Sequence, residues 1–159
     1  MGKSHGQSNA VLLRFVGTTA PAISTTYVGL LTTMPTANDP VGWVEWREAE
    51  NTPIDRIRIY QDSDDGTPSW SDPAIEGNTY ETHNVGGTQW GGTDLAILLD
   101  GSQLVVGAGV FTTASTTYTD GVPDTLNHLI YWNTFANSLT VTQGESVTFL
   151  TGKIKVTES

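Results

Sequence analysis

From Leu129 to Glu158 the chain reads LIYWNTFANSLTVTQGESVTFLTGKIKVTE, and this stretch constrains the fold most. Leu139 and Val141 alternate with Thr140 and Thr142. After Gln143-Gly144-Glu145, Val147 and Phe149 alternate with Ser146 and Thr148. After Thr151-Gly152, Ile154 and Val156 sit between Lys153, Lys155 and Thr157. Successive side chains on a strand point to opposite faces, so this pattern means one buried face and one wet face. Glycine at each break permits a tight reversal. The pattern predicts three short antiparallel strands joined as a β-meander.

The rest of the chain agrees with an all-β reading. Thr, Gly and β-branched residues dominate, a composition that suits strands and turns. A length of 159 residues fits one domain with an adequate core. We read a polar arm over 1–7 and a single β-sandwich domain over 8–159. There is no cysteine, which excludes disulfides and thiolate chemistry. The net charge is -10, from 7 Lys+Arg against 17 Asp+Glu. Such acidity argues against nucleic acid and against anionic membranes, both of which call for cations. Apolar runs are too short to span a bilayer. The N-terminus lacks the apolar core of a secretory signal, and Gly6 departs from the myristoylation pattern.

In chain order, the arm Met1–Gln7 carries Lys3 and His5. A polar, glycine-containing arm is ordered only when something holds it, which points to assembly with other chains. Ser8 to Val16 offers one short helix, capped by Ser8 or Asn9 and ended by Gly17. Strands are expected at Tyr27–Leu31, Val41–Trp46, Ile54 to Tyr60, Thr79–Val85, Asp94–Leu99, Gln103–Phe111 and Leu129–Asn133, in addition to the C-terminal three. Two polar loops separate them, Gln61–Asn78 and Ala114–Pro123; the second contains Tyr118. About nine or ten short strands with turn signals imply an antiparallel β-sandwich or jelly roll.

No catalytic, cofactor or metal site emerges. Asp62-Ser63-Asp64-Asp65-Gly66 opens like a calcium loop, but Gly66 stands one position early and the distant Glu is missing. His5, His83 and His128 lack metal-site spacing. Asp94 and Asp100 are a conceivable carboxylate pair, with nothing in the sequence to set their separation. Recognition residues are better candidates. Arg56 and Arg58 share one face of their expected strand, opposite Ile57 and Ile59. That face is either solvated beside carboxylates or meets an acidic partner, including another copy of this chain. Trp70, in the Pro- and Asp-rich loop, is either an exposed recognition aromatic or a loop tip folded back. Trp90 and Trp132 read as core or interface anchors. Trp43 and Trp46, at odd spacing, would face opposite sides of a strand.

Several segments, taken in order, resemble a family of small tailed-bacteriophage virion proteins, the tail-fibre-like and head decoration proteins. They are Leu12 to Thr18 (LLRFVGT), Thr26 to Thr33 (TYVGLLTT), Gln89 to Gly101 (QWGGTDLAILLDG), Leu129 to Phe135 (LIYWNTF) and Leu139 to Phe149 (LTVTQGESVTF). Their order and approximate spacing agree over about half the chain. Glu145 stands where the family has Asp, the segment 103–127 is longer than usual, and Trp43 to Gly77 has no counterpart. The resemblance implies a non-enzymatic virion protein without cofactors. We expect a capsid decoration (cement) protein on the capsid surface, binding the major capsid protein and other copies of itself as a homotrimer. The alternatives are a tail-fibre or receptor-binding accessory, a carbohydrate-binding module, and, last, a small metal-dependent hydrolase. The partner interface would draw on Lys3, His5, Arg56, Arg58, Trp70 and Tyr118.

Overall fold

The computed structural model describes residues 26–36, 42–49, 52–59, 69–91, 102–120, 122–123, 129–142 and 144–158. Every regular element among them is a strand. In order these are β1 (Thr26–Thr33), β2 (Val44–Glu45), β3 (Arg47–Ala49), β4 (Thr52–Pro53), β5 (Ile57–Ile59), β6 (Ser69–Trp70), β7 (Ala74–Glu76) and β8 (Thr79–Val85). There follow β9 (Thr88–Gly91), β10 (Ser102–Phe111), β11 (Tyr118–Thr119), β12 (Val122–Pro123), β13 (Leu129–Thr142), β14 (Ser146–Phe149) and β15 (Lys155–Glu158). The described part of the protein is all-β, built from several antiparallel sheets. The helix expected at Ser8 to Val16, the arm Met1–Gln7 and the strand expected at Asp94–Leu99 lie outside the described residues.

Internal contacts divide the chain into two compact units. One comprises Met1–Thr26, Arg58–Thr88 and Phe149–Ser159; the other comprises Tyr27–Ile57 and Gln89–Thr148. In the second unit, β13, β10, β1 and β2 lie side by side in that order. β10 pairs along its length with β13, Phe111 opposite Leu129 and Ser102 opposite Thr142. In the middle, Phe135 to Ser138 stand opposite Val106 alone, so β13 bulges outward there. On the core-facing side of this sheet, Leu31, Phe111 and Leu129 pack with Trp43 and Tyr118. The indole of Trp43 meets the Phe111 ring edge-on at 5.4 Å and the Tyr118 ring at 6.4 Å. Burying side chains of this size contributes roughly 1.5–3 kcal/mol each. Gly109 of β10 is required by this packing, because a Cβ there would overlap Leu129 Cδ1.

In the first unit β8 is central. β15 pairs with one edge, Val156 opposite Thr82; β7 and β6 pair with the other. The expected loop over 61–78 needs correction, because it contains both β6 and β7. β7 and β8 form a hairpin across Gly77-Asn78, with Glu76 opposite Thr79 and Gly77 at φ 63°. A glycine first in a two-residue loop is one of the favoured hairpin turns. Asn84 ties this sheet to the turn before β15. Its N–H donates to Ile154 O (3.0 Å) and its carbonyl accepts from Gly152 N (2.9 Å). Its side-chain amide donates to Gly86 O (2.7 Å) and Leu150 O (3.2 Å), and accepts from Ile154 N (2.8 Å). The residue is fully buried, which is tolerable only because these groups are satisfied.

The C-terminal meander is also corrected. The three strands exist and the glycine reversals are real, with Gly144 at φ 85° and Gly152 at φ 76°. Yet β13 pairs with β10, β14 with β9 and β15 with β8, and none of the three pairs with another. Alternation specifies the two faces of a strand; it carries no information about which edge finds which partner. The Gly144 turn is closed by Glu145, whose carboxylate accepts the Thr142 N–H at 2.7 Å while its own N–H reaches Thr142 O. Hydrogen bonding from Thr142 holds this carboxyl below the usual range.

Replacing Asn84 by Leu leaves two part-buried carbonyls, of Gly86 and Leu150, and the Ile154 N–H without their partner. The expected loss is about 3 kcal/mol, at roughly 1 kcal/mol or more for each group left unpaired, measured by urea unfolding followed through tryptophan fluorescence.

Candidate functional site

The most organised cluster of polar side chains lies in the second unit, where Glu45 of β2 faces Arg56. Both are buried, at 1 % and 8 % exposure. Arg56 Nε donates to Glu45 Oε1 at 2.6 Å and Nη2 to Oε2 at 3.0 Å, a two-pronged pair. Nη1 donates to the carbonyl (2.6 Å) and hydroxyl (3.1 Å) of Thr113, and Nη2 also to the Thr116 hydroxyl (2.6 Å). Every guanidinium N–H therefore has a partner. The guanidinium carbon sits 3.6 Å from the centroid of the Phe111 ring.

Tyr118 completes the cluster. Its hydroxyl donates to Glu45 Oε2 at 2.9 Å and accepts from Glu45 N–H at 3.2 Å. Burial first, and then the charge of Glu45, raises this hydroxyl far above the usual tyrosine range. Space for the pair comes from Gly29 of β1. A Cβ there would lie 2.9 Å from Glu45 Oε1, 3.1 Å from Phe111 and 3.2 Å from Arg56 Cγ.

This arrangement clamps the segment after β10. Thr113, Thr116 and Tyr118 are all held by one ion pair, and Tyr118 begins the β11–β12 hairpin. Within the segment expected as a loop, Tyr118 pairs with Pro123 and Thr119 with Val122 around Asp120, which adopts φ 50°. Asp120-Gly121 suits such a two-residue turn.

The residues proposed from sequence are distributed as follows. Lys3 and His5 lie outside the described residues. Arg56 does not share a solvated or partner-facing surface with Arg58. β5 begins only at Ile57, so strand alternation does not extend to Arg56, which turns inward while Arg58 is exposed. Trp70 is not an exposed recognition aromatic: it is 5 % exposed, and its Nε1 donates to Thr26 Oγ1 at 2.8 Å. Tyr118 is likewise buried. Trp43 and Trp46 are both buried. Glu45, Thr113, Thr116 and Gly29 were not singled out from sequence. A lone glutamate flanked by two tryptophans, as Trp43-Val44-Glu45-Trp46, was the available signal that Glu45 points inward.

Two other clusters do not assemble chemistry. A hollow lined by Pro53, Ile54, Asp55, Arg56, Ala114 and Ser115 borders the ion pair, but Arg56 has no N–H left to offer a ligand there. On the first unit, Ser71 Oγ (3.4 Å) and Glu81 Oε1 (3.9 Å) both approach Nδ1 of His83. A nucleophile and an orienting acid must sit on opposite ring nitrogens, so this is not a hydrolytic triad. Among the described residues no group of three or more His, Cys, Asp or Glu is placed to hold a metal. No protein-family model matches the chain, and no curated protein matches it significantly.

Arg56→Met leaves Glu45 buried without its cation and is expected to cost about 3–5 kcal/mol. Adding Glu45→Met removes the stranded charge, so the double variant should be more stable than Arg56→Met alone, as read from urea midpoints.

Proposed function

We propose that this chain is a non-enzymatic structural protein of a tailed-bacteriophage virion, an antiparallel sandwich that decorates and stabilises the capsid shell. The observation that carries the reading is where the family-like segments fall. Tyr27 to Thr33 lies in β1, Leu129 to Phe135 and Leu139 to Thr142 in β13, and Val147 to Phe149 in β14. β1 and β13 belong to one sheet, on either side of β10, so two of the resembling segments share one piece of architecture. The acidic chain suits binding to a shell rather than to the packaged nucleic acid. Its partners in this reading are the major capsid protein and other copies of itself. Trp70, on which sugar stacking would rest, is interior, so the tail-tip and carbohydrate readings lose their leading aromatic.

Particles made without this chain should rupture at lower temperature and under milder osmotic shock than complete ones, and the purified protein should restore resistance when added back. Recovery of the chain with detached tails and never with shells would overturn the proposal.

A further inference from the structure

We infer that the β11–β12 hairpin is the docking element of the second unit, and that it engages a basic protein surface. The inference rests on the capsid-decoration reading and names the contacting surface. Three observations converge on it. First, the hairpin is small but firmly based. Tyr118 is buried and bonded to Glu45, Pro123 is buried, and the preceding segment is tied to Arg56 through Thr113 and Thr116. Anchoring of this kind fixes an exposed tip in one pose and lowers the ordering cost of binding. Second, the tip presents an apolar contact. Val122 is 62 % exposed and is paired with Thr119, which is exposed too.

Third, the exposed charges of this unit share one sign. Among its described residues the exposed charged side chains are Asp55, Asp120 and Glu145, and the half-buried Arg47 is turned onto the Tyr118 ring at the base of the hairpin. No Lys or Arg occurs between Arg58 and Lys153 in the sequence. A second copy would set acid against acid, whereas a surface bearing Lys or Arg around an apolar spot is complementary. Asp120 sits at the tip with φ 50°, a conformation Asp and Asn accept better than most residues.

The test uses full-length chain added back to particles that lack it. Asp120→Asn keeps the turn and removes the charge; Val122→Ser removes the apolar contact. Each should weaken shell binding by about tenfold. Wild-type binding should fall as salt rises, and that of Asp120→Asn should fall less steeply. Val122→Cys, the sole thiol in this chain, carries a photoreactive label and should capture the shell subunit. Unaltered circular dichroism and melting of the variants exclude misfolding. If wild-type protein decorates the shell but both variants bind equally well, or the label captures only copies of this chain, the inference is overturned while the decoration reading stands. If wild-type protein does not bind shells at all, both are overturned.

Discussion

A carboxylate and a guanidinium buried together are tolerable only when each is paired and hydrogen-bonded. Glu45 and Arg56 meet that condition with little to spare. The carboxylate receives Arg56 and the Tyr118 hydroxyl, and the guanidinium spends its remaining donors on Thr113 and Thr116. Such a pair need not add stability over an apolar replacement of equal shape. What it adds is a requirement: the segments bearing these residues must all arrive in one arrangement for the charges to be satisfied.

The surrounding packing follows from that requirement. Gly29 has no side chain because Glu45, Phe111 and Arg56 occupy the space a Cβ would need. Phe111 presents its ring face to the cation and meets Trp43 in a T-shaped contact, linking the ion pair to the aromatic core. Trp43 in turn meets Tyr118, which closes the circuit back to Glu45. The polar cluster and the hydrophobic core of this unit are therefore one structure, and the β11–β12 hairpin is held by both.

The sequence was most legible where alternation was long. Tyr27–Leu31 falls inside β1, Thr79–Val85 coincides with β8, and Gln103–Phe111 lies one residue short of β10. Short hairpins were harder. Gly77-Asn78 and Asp120-Gly121 carry turn chemistry, but β7, β11 and β12 beside them are two or three residues long and Pro- or Thr-rich surroundings mask them as loops. Strand pairing could not be read, because β13, β14 and β15 find partners far away in sequence. The site was illegible for a related reason. Arg56 joins Glu45 and Thr113 through tertiary placement, and its neighbour Arg58, only two positions on, is exposed. The polar composition around Trp70 left it open between an exposed aromatic and one folded back, and its own short strand β6 decides for the second by turning it inward to Thr26.

Tyr118 is buried and locked against Glu45 inside the charged cluster. Its folded pKa is raised above the unfolded value of about 10, so its contribution to stability is complete below that pH and declines as pH rises beyond it. Alkaline titration followed by tyrosinate absorbance, with circular dichroism alongside, tests this directly. One tyrosine should stay protonated well above pH 10 while the fold persists, ionise only as the chain unfolds, and disappear from the titration of Tyr118→Phe. Reversible ionisation of every tyrosine near pH 10 with the fold intact would contradict it.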